Sequence, residues 1–129
     1  KAFFRPSTDE IVIPERERFE STANLYATVL HELTHWTGHK SRLNRTKGSK
    51  FGDIDYAFEE LVAELGSAFL MADFGIVGEV QHESYIANWL EVLKNDKRFI
   101  FKAASQASKA FTHLKETVEG ESENQLKAA

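Results

Sequence analysis

Residues 31 to 35 of this 129-residue chain read His31-Glu32-Leu33-Thr34-His35. On an α-helix four residues advance about 400°, so His31 and His35 project within about 40° of one another and can grip one ion. Glu32 lies about 100° from His31 and about 60° back from His35, beside such an ion rather than on it, where a general base for metal-activated water belongs. Shuffling the composition yields about 0.02 such pentads, so chance is a poor account of it. The plain alternative is a pair of capping histidines near a helix C-terminus, where positive charge is favoured. The surrounding sequence argues against that alternative, because the pentad lies on an amphipathic helix with its own N-cap.

That helix starts at Ser21 or Thr22 as N-cap, carries Tyr26, Val29, Leu30, Leu33 and Thr37 at helical spacing, and stops at Gly38. Upstream, Ala2 to Arg5 and Ile11 to Ile13 read as short strands split by Pro6-Ser7-Thr8-Asp9, with Pro14 ending the second. Downstream, Lys40 to Lys50 form a basic loop with five basic residues (Lys40, Arg42, Arg45, Lys47, Lys50) and no acid. A second helix is predicted from Ile54 to Phe74, with Phe58, Leu61, Val62, Leu65, Phe69 and Leu70 on its apolar side and Gly75 as cap. A third covers roughly Glu83 to Lys94. The fourth covers about Arg98 to Glu116, with Asp96 at its start. Residues 119–129 are polar and aperiodic and read as a flexible tail. The expectation is an α+β, mostly helical domain over residues 1–118, with a small N-terminal β-sheet or hairpin and about four helices.

A catalytic zinc usually takes three protein ligands and keeps one position open. His39 is one turn beyond His35, but a helix end at Gly38 would swing it away, and Ser41 stands where an extended pattern would need a further His. The second helix supplies carboxylates in Glu59, Glu60 and Glu64. Glu60 is the expected third ligand and Glu59 its closest competitor. Glu64, one turn on, would accept the outer ring N–H of a ligating His. A solvated acidic face is the bland reading of the same three residues.

Composition limits the choices. The chain has no cysteine, which removes thiol nucleophiles, disulfides and thiolate metal sites and leaves five histidines as the scarce resource. A net charge of −4 argues against the whole chain coating nucleic acid, although the basic loop remains a local candidate. No apolar run approaches the roughly 18 residues of a membrane span, and no signal-peptide layout is present, so an intracellular setting without membrane contact is expected. The start at Lys1 rather than Met suggests a fragment of a longer protein, with further strands upstream. Trp36 and Trp89 read as core or pocket walls, and His82 and His113 as ordinary polar histidines.

The run His31 to His39, followed by Arg42-Leu43-Asn44-Arg45 and Glu59-Glu60-Leu61-Val62-Ala63-Glu64-Leu65, resembles the zincin-like metallopeptidase domain of ArdC-type plasmid antirestriction proteins. It is also similar to the C-terminal region of TraC-type plasmid primases. Residues 6–14 and Tyr85-Ile86-Ala87-Asn88-Trp89-Leu90 share the likeness, which extends to about residue 114. The resemblance implies a gluzincin-type metallopeptidase fold with one Zn²⁺ held by His31, His35 and Glu60, and with Glu64 as an acidic support behind a ligand. It also implies an N-terminal single-stranded-DNA-binding domain absent here, through which a parent protein would meet nucleic acid. The implied setting is the bacterial cytoplasm, with delivery alongside plasmid DNA.

The expected activity is hydrolysis of a peptide or protein substrate by metal-activated water, with Glu32 as base. Glu10 to Ile13 is the candidate edge for an extended substrate. His39, Tyr56 and Tyr85 are unranked candidates to contact the transition state. The alternative is a non-catalytic zincin scaffold with a structural metal that binds DNA or a restriction enzyme.

Overall fold

The computed structural model describes the backbone of residues 1–45 and 54–128 and the side chains of those up to residue 121. Strands β1 (Phe3–Arg5) and β2 (Glu10–Val12) pair antiparallel, with Phe3 opposite Val12, Phe4 opposite Ile11 and Arg5 opposite Glu10. The intervening turn places Asp9 at φ 55°, a left-handed conformation that Asp tolerates better than most residues. Its carboxylate is clasped by the Arg42 guanidinium, which ties the hairpin to the loop after the first helix and holds the Asp9 pKa below its ordinary value. A 3₁₀ turn (Arg16–Arg18) leads into four helices among the described residues: α1 (Thr22–Thr37), α2 (Ile54–Phe74), α3 (His82–Val92) and α4 (Lys97–Ala128). The class is therefore the α+β, mostly helical arrangement expected from the sequence. No helix among the described residues is long and apolar enough to cross a membrane.

Local chemistry sets the helix ends. Ser21 is extended and its Oγ accepts the Asn24 amide at 3.1 Å, the side-chain cap that a helix start needs. At Gly75 the backbone turns left-handed (φ 66°), Ile76 N–H bonds Met71 O at 3.0 Å and Gly75 N–H reaches Ala72 O at 3.3 Å. This paired closure is one that glycine makes easily. Gly38 works differently. Its φ of −81° is open to any residue, but a Cβ there would lie 2.9 Å from Arg45 Nη2, so the position is kept small by a buried guanidinium.

Helix α2 lies at the centre, packed against α1, α3 and α4, while the hairpin rests on α1. One core cluster joins Ala57, Leu61, Val62 and Leu65 of α2 to Leu93 and to Ala103 and Ala107 of α4. The other joins Ala23, Ala27 and Leu30 of α1 to Leu70 and Met71. Small residues let α1 and α2 approach closely. A Cβ on Gly66 would sit 2.6 Å from both Cγ2 and Oγ1 of buried Thr34, and Ser67 Oγ donates to Ala27 O at 2.8 Å. The two helices run antiparallel, which puts the pentad opposite the N-terminal half of α2.

Three expectations need correction. Residues 119–128 continue α4 as helix, where the sequence suggests an irregular stretch. The stretch has no apolar face, but propagating an established helix needs only adequate formers such as Glu, Gln, Leu, Lys and Ala. Tyr26 (46% exposed) and Phe69 (36%) lie on predicted apolar stripes but at the margin of the packing. The basic loop offers fewer free cations than its sequence suggests, since Lys40 is exposed but both of its arginines are engaged within the protein. Arg42 stacks on Trp36, 3.7 Å from the ring centroid, and Arg45 is buried against Glu59. Lys47 and Lys50 lie outside the described residues.

Candidate metal centre

The i, i+4 spacing places the rings of His31 and His35 on one side of α1 with centroids 4.9 Å apart. Both Nε2 atoms converge on a single oxygen of α2: His31 Nε2 lies 3.1 Å and His35 Nε2 2.7 Å from Glu60 Oε2. One ligand atom from each of the three residues falls within 4.8 Å of the others. Glu60 Oε1 accepts the Tyr56 hydroxyl at 3.2 Å.

The outer face of each ring is also held by a carboxylate. His31 Nδ1–H donates to Glu64 Oε2 at 3.1 Å and His35 Nδ1–H to Glu59 Oε2 at 2.8 Å. Each of these carboxylates has its own donor. Arg45 Nε reaches Glu59 Oε1 at 2.7 Å, and the same guanidinium spans Thr34 O at 2.7 Å and Thr37 Oγ1 at 3.2 Å. On the other side, His82 Nδ1–H donates to Glu64 Oε1 at 2.7 Å.

This arrangement sets the proton affinities. Burial alone would lower the pKa of His31, but its bonds to Glu60 and Glu64 outweigh that and push it up to about 10. His35, likewise disfavoured by burial, is raised by Glu59 and Glu60 to about 9. Burial would raise Glu60, yet the two imidazoles hold it well below the usual carboxylate range, and Glu59 and Glu64 are lowered by their own partners in the same way. Glu32 goes in the opposite direction. Burial raises its pKa against the pull of His31 and His35 and a smaller one from the nearby Phe4 backbone. Tyr56 is pushed up to about 12, first by burial and then by Glu60.

The donor chemistry fits a divalent cation. In the absence of an ion, two imidazoles can share one carboxylate oxygen only if both Nε2 atoms carry protons. Removing those protons leaves two neutral rings with lone pairs facing Glu60 and with Nδ1–H groups already committed outward, the state in which histidine ligates.

A cleft of about 530 Å³ opens on the centre and is lined by Phe3, Phe4, Glu32, His35, Tyr56, Phe58 and Glu60, among others. It is bordered by β1, not by the Glu10 to Ile13 strand expected to form the substrate edge. Phe3 and Phe4 of β1 line the cleft, and the Phe4 backbone lies near Glu32.

Of the residues expected from sequence, the structure brings together His31, Glu32, His35, Glu60, Glu64 and Tyr56. It does not bring in His39, whose ring faces Ser41 Oγ (2.8 Å) and Pro6 O (3.2 Å) beyond the end of α1. Nor does it bring in Tyr85, which is 53% exposed on α3. His113 lies beside Trp36, with ring centroids 6.1 Å apart. Three residues at the centre were read otherwise: Glu59 as a competing ligand, Arg45 as a loop cation and His82 as an ordinary polar histidine. For Glu59 the signal was its place beside Glu60. Arg45 and His82 meet the centre only through tertiary packing and carry no local spacing signal.

Residues 1–106 match a family model described as zincin-like metallopeptidase. The chain is 48% identical over 110 residues to a DNA primase TraC of Escherichia coli, an alignment covering 84% of this chain and 10% of the primase. It is 45% identical over 109 residues to the uncharacterized protein y4eC of Sinorhizobium fredii, covering 83% and 36% respectively. Two crystal structures of the antirestriction protein ArdC from plasmid R388 share its fold. The Mn(II)-bound form gives a TM-score of 0.73 at 46% identity, covering 90% of this chain and 44% of ArdC. The metal-free form gives 0.72 at 47% identity, covering 93% and 44%. The chain thus spans about a tenth of the primase and under half of ArdC.

Proposed function

The chain belongs to the zincin-like metallopeptidase family, and from that premise we propose that it hydrolyses peptide bonds at a Zn²⁺ centre held by His31, His35 and Glu60. The observation that carries this reading is Glu32, a buried carboxylate of raised pKa beside the two rings and on the wall of the cleft. A purely structural metal needs no base between its histidines. Two imidazole nitrogens and one carboxylate form a three-ligand set suited to zinc with a position left open. The Mn(II) in the ArdC crystal structure supports occupancy by a divalent cation in this fold.

When bound, the ion would act as a Lewis acid that acidifies water and polarises a carbonyl oxygen. The remaining work falls to the chain. Glu32 accepts a proton from water at the centre and returns it to the leaving amine, and its raised pKa brings the carboxylate closer to a pH at which it can do both. Glu59 and Glu64 keep the Nδ1 protons in place, so the Nε2 lone pairs stay directed inward. Among the three expected transition-state contacts, Tyr56 is the one that lines the cleft. The free edge of β1 offers backbone groups to an extended peptide. The likeness to a plasmid primase and an antirestriction protein supports a role in the bacterial cytoplasm within a plasmid-encoded protein, where other parts of that protein meet nucleic acid.

The test is metal content together with cleavage of a diverse peptide library, for wild type against Glu32→Ala. Glu32→Ala should keep its metal and lose cleavage. Metal-loaded wild type with no Glu32-dependent cleavage would refute the peptidase reading and leave the non-catalytic binding scaffold. Glu60→Ala should weaken zinc binding far more than Glu59→Ala, and the reverse order would move the third ligand by one residue.

A further inference from the structure

We propose that His82 is a positioning residue of the metal centre, reaching it from α3 through Glu64. His82 opens α3 and donates Nδ1–H to Glu64 Oε1 at 2.7 Å, while Glu64 Oε2 accepts His31 Nδ1–H at 3.1 Å. Glu64 is 7% exposed, so water is a poor substitute for either donor. A carboxylate held at one oxygen can still turn about its terminal torsion, which has broad wells. Held at both oxygens it is fixed, and so is the azimuth of the ring it supports.

A second observation points the same way. His82 Nε2 is buried with no partner among the described residues. An unpaired buried nitrogen is unfavourable, and a histidine serving only as a polar surface group would turn it to water. The ring is instead oriented by its contact with Glu64. Since Ile86, Trp89 and Leu90 of α3 pack on the α2 core, that contact connects the seating of α3 to the ring of His31. His35 has the corresponding arrangement through Glu59 and Arg45, so each histidine is backed by a carboxylate that has its own donor.

The inference rests on the functional reading only in taking His31 as a metal ligand, and its test reads metal binding rather than cleavage. Zn²⁺ affinity of the full chain is measured by competition with a chromophoric chelator, and the geometry by the visible absorption of Co²⁺ in the same site. His82→Leu is expected to weaken Zn²⁺ about 10- to 100-fold and to shift the Co²⁺ bands. His82→Asn, whose side-chain N–H falls near the Nδ1–H position, should restore both to near wild type. If His82→Leu does not fold, His82→Asp replaces it, with the same expected loss, because it sets a like charge against Glu64. Wild-type affinity and spectrum in the donor-less variant overturn the inference, as does equal weakening in His82→Asn. Wild type that takes up no metal overturns this inference and the functional reading together. Uptake unchanged by His82→Leu overturns this inference alone.

Discussion

Replacing Gly66 by alanine tests whether the spacing of α1 and α2 sets the geometry of the centre. The added Cβ would stand 2.6 Å from Thr34 Cγ2 and Oγ1 and 3.1 Å from Thr34 Cβ, where carbon contacts settle at about 3.5 to 4.0 Å. Roughly an ångström must therefore be opened. Thr34 cannot give way easily, because it is fully buried and its Oγ1 is bonded to Leu30 O at 2.8 Å. Overpacking of this kind costs about 1 to 3 kcal/mol, against a gain of up to about 1 kcal/mol from alanine in a helix interior. At the middle of the first range the net loss is about 1 kcal/mol, a fall in Tm of roughly 4 °C for a chain of this size. Thermal unfolding of the metal-free protein by circular dichroism measures it, and a Zn²⁺ titration should show weaker binding because Glu60 moves away from the histidines. Thr34→Ala in the Gly66→Ala background removes the clashing atoms, so the double variant should be more stable than the sum of the singles by about 1 kcal/mol or more. Gly66→Ala melting at or above wild type, or strict additivity of the pair, would refute the close-approach argument.

The raised histidine pKa values fix the pH response of the metal-free protein. From an ordinary 6.5, His31 and His35 rise to about 10 and 9, so their contribution to stability is full below pH 6.5 and is lost as pH climbs through 9 to 10. Glu60 is lowered from 4.5, so its contribution is present above that value and disappears on acidification. Metal-free Tm should accordingly be highest between about pH 4.5 and 6.5, and a curve that is flat from 6.5 to 10 in the presence of chelator would contradict the sign. Zn²⁺ must displace both protons, so its apparent Kd should fall about a hundredfold per pH unit between pH 7 and 9. Histidines of ordinary pKa would show almost no slope there, and calorimetry in buffers of different ionisation enthalpy counts the protons directly. Arg45→Gln leaves the buried Glu59 charge without its guanidinium, with only His35 facing it, and should cost about 3 kcal/mol in urea unfolding. Arg45→Lys should recover little of that, since an ammonium cannot span Glu59, Thr34 O and Thr37 Oγ1 together.

What the sequence made legible was what depends on near neighbours along the chain. Ser21 as a cap, Gly75 as a stop and the shared face of His31 and His35 all follow from interactions within one or two turns. The face shared by Glu60 and Glu64 follows from the same spacing. Which oxygen meets which ring does not, because that is fixed by the crossing of α1 on α2, and the crossing depends on Gly66 and Ser67 finding Thr34 and Ala27. Arg45 escaped notice because its charge suggested solvent, while its geometry suits a buried, multidentate anchor. His82 escaped because nothing within 15 residues of it carries the centre's chemistry; its partner Glu64 is 18 positions back. That β1 rather than β2 lines the cleft was hidden for a related reason. Either strand of a hairpin can be the outer one until its register against a helix is known.

The three converging ligand atoms come from residues 31, 35 and 60, on the consecutive helices α1 and α2. With the carboxylates Glu59 and Glu64 and their donors Arg45 and His82, the whole arrangement that orients those atoms lies between residues 31 and 82. The proteins this chain resembles differ widely in length around the shared region, which is about a tenth of the primase and under half of ArdC.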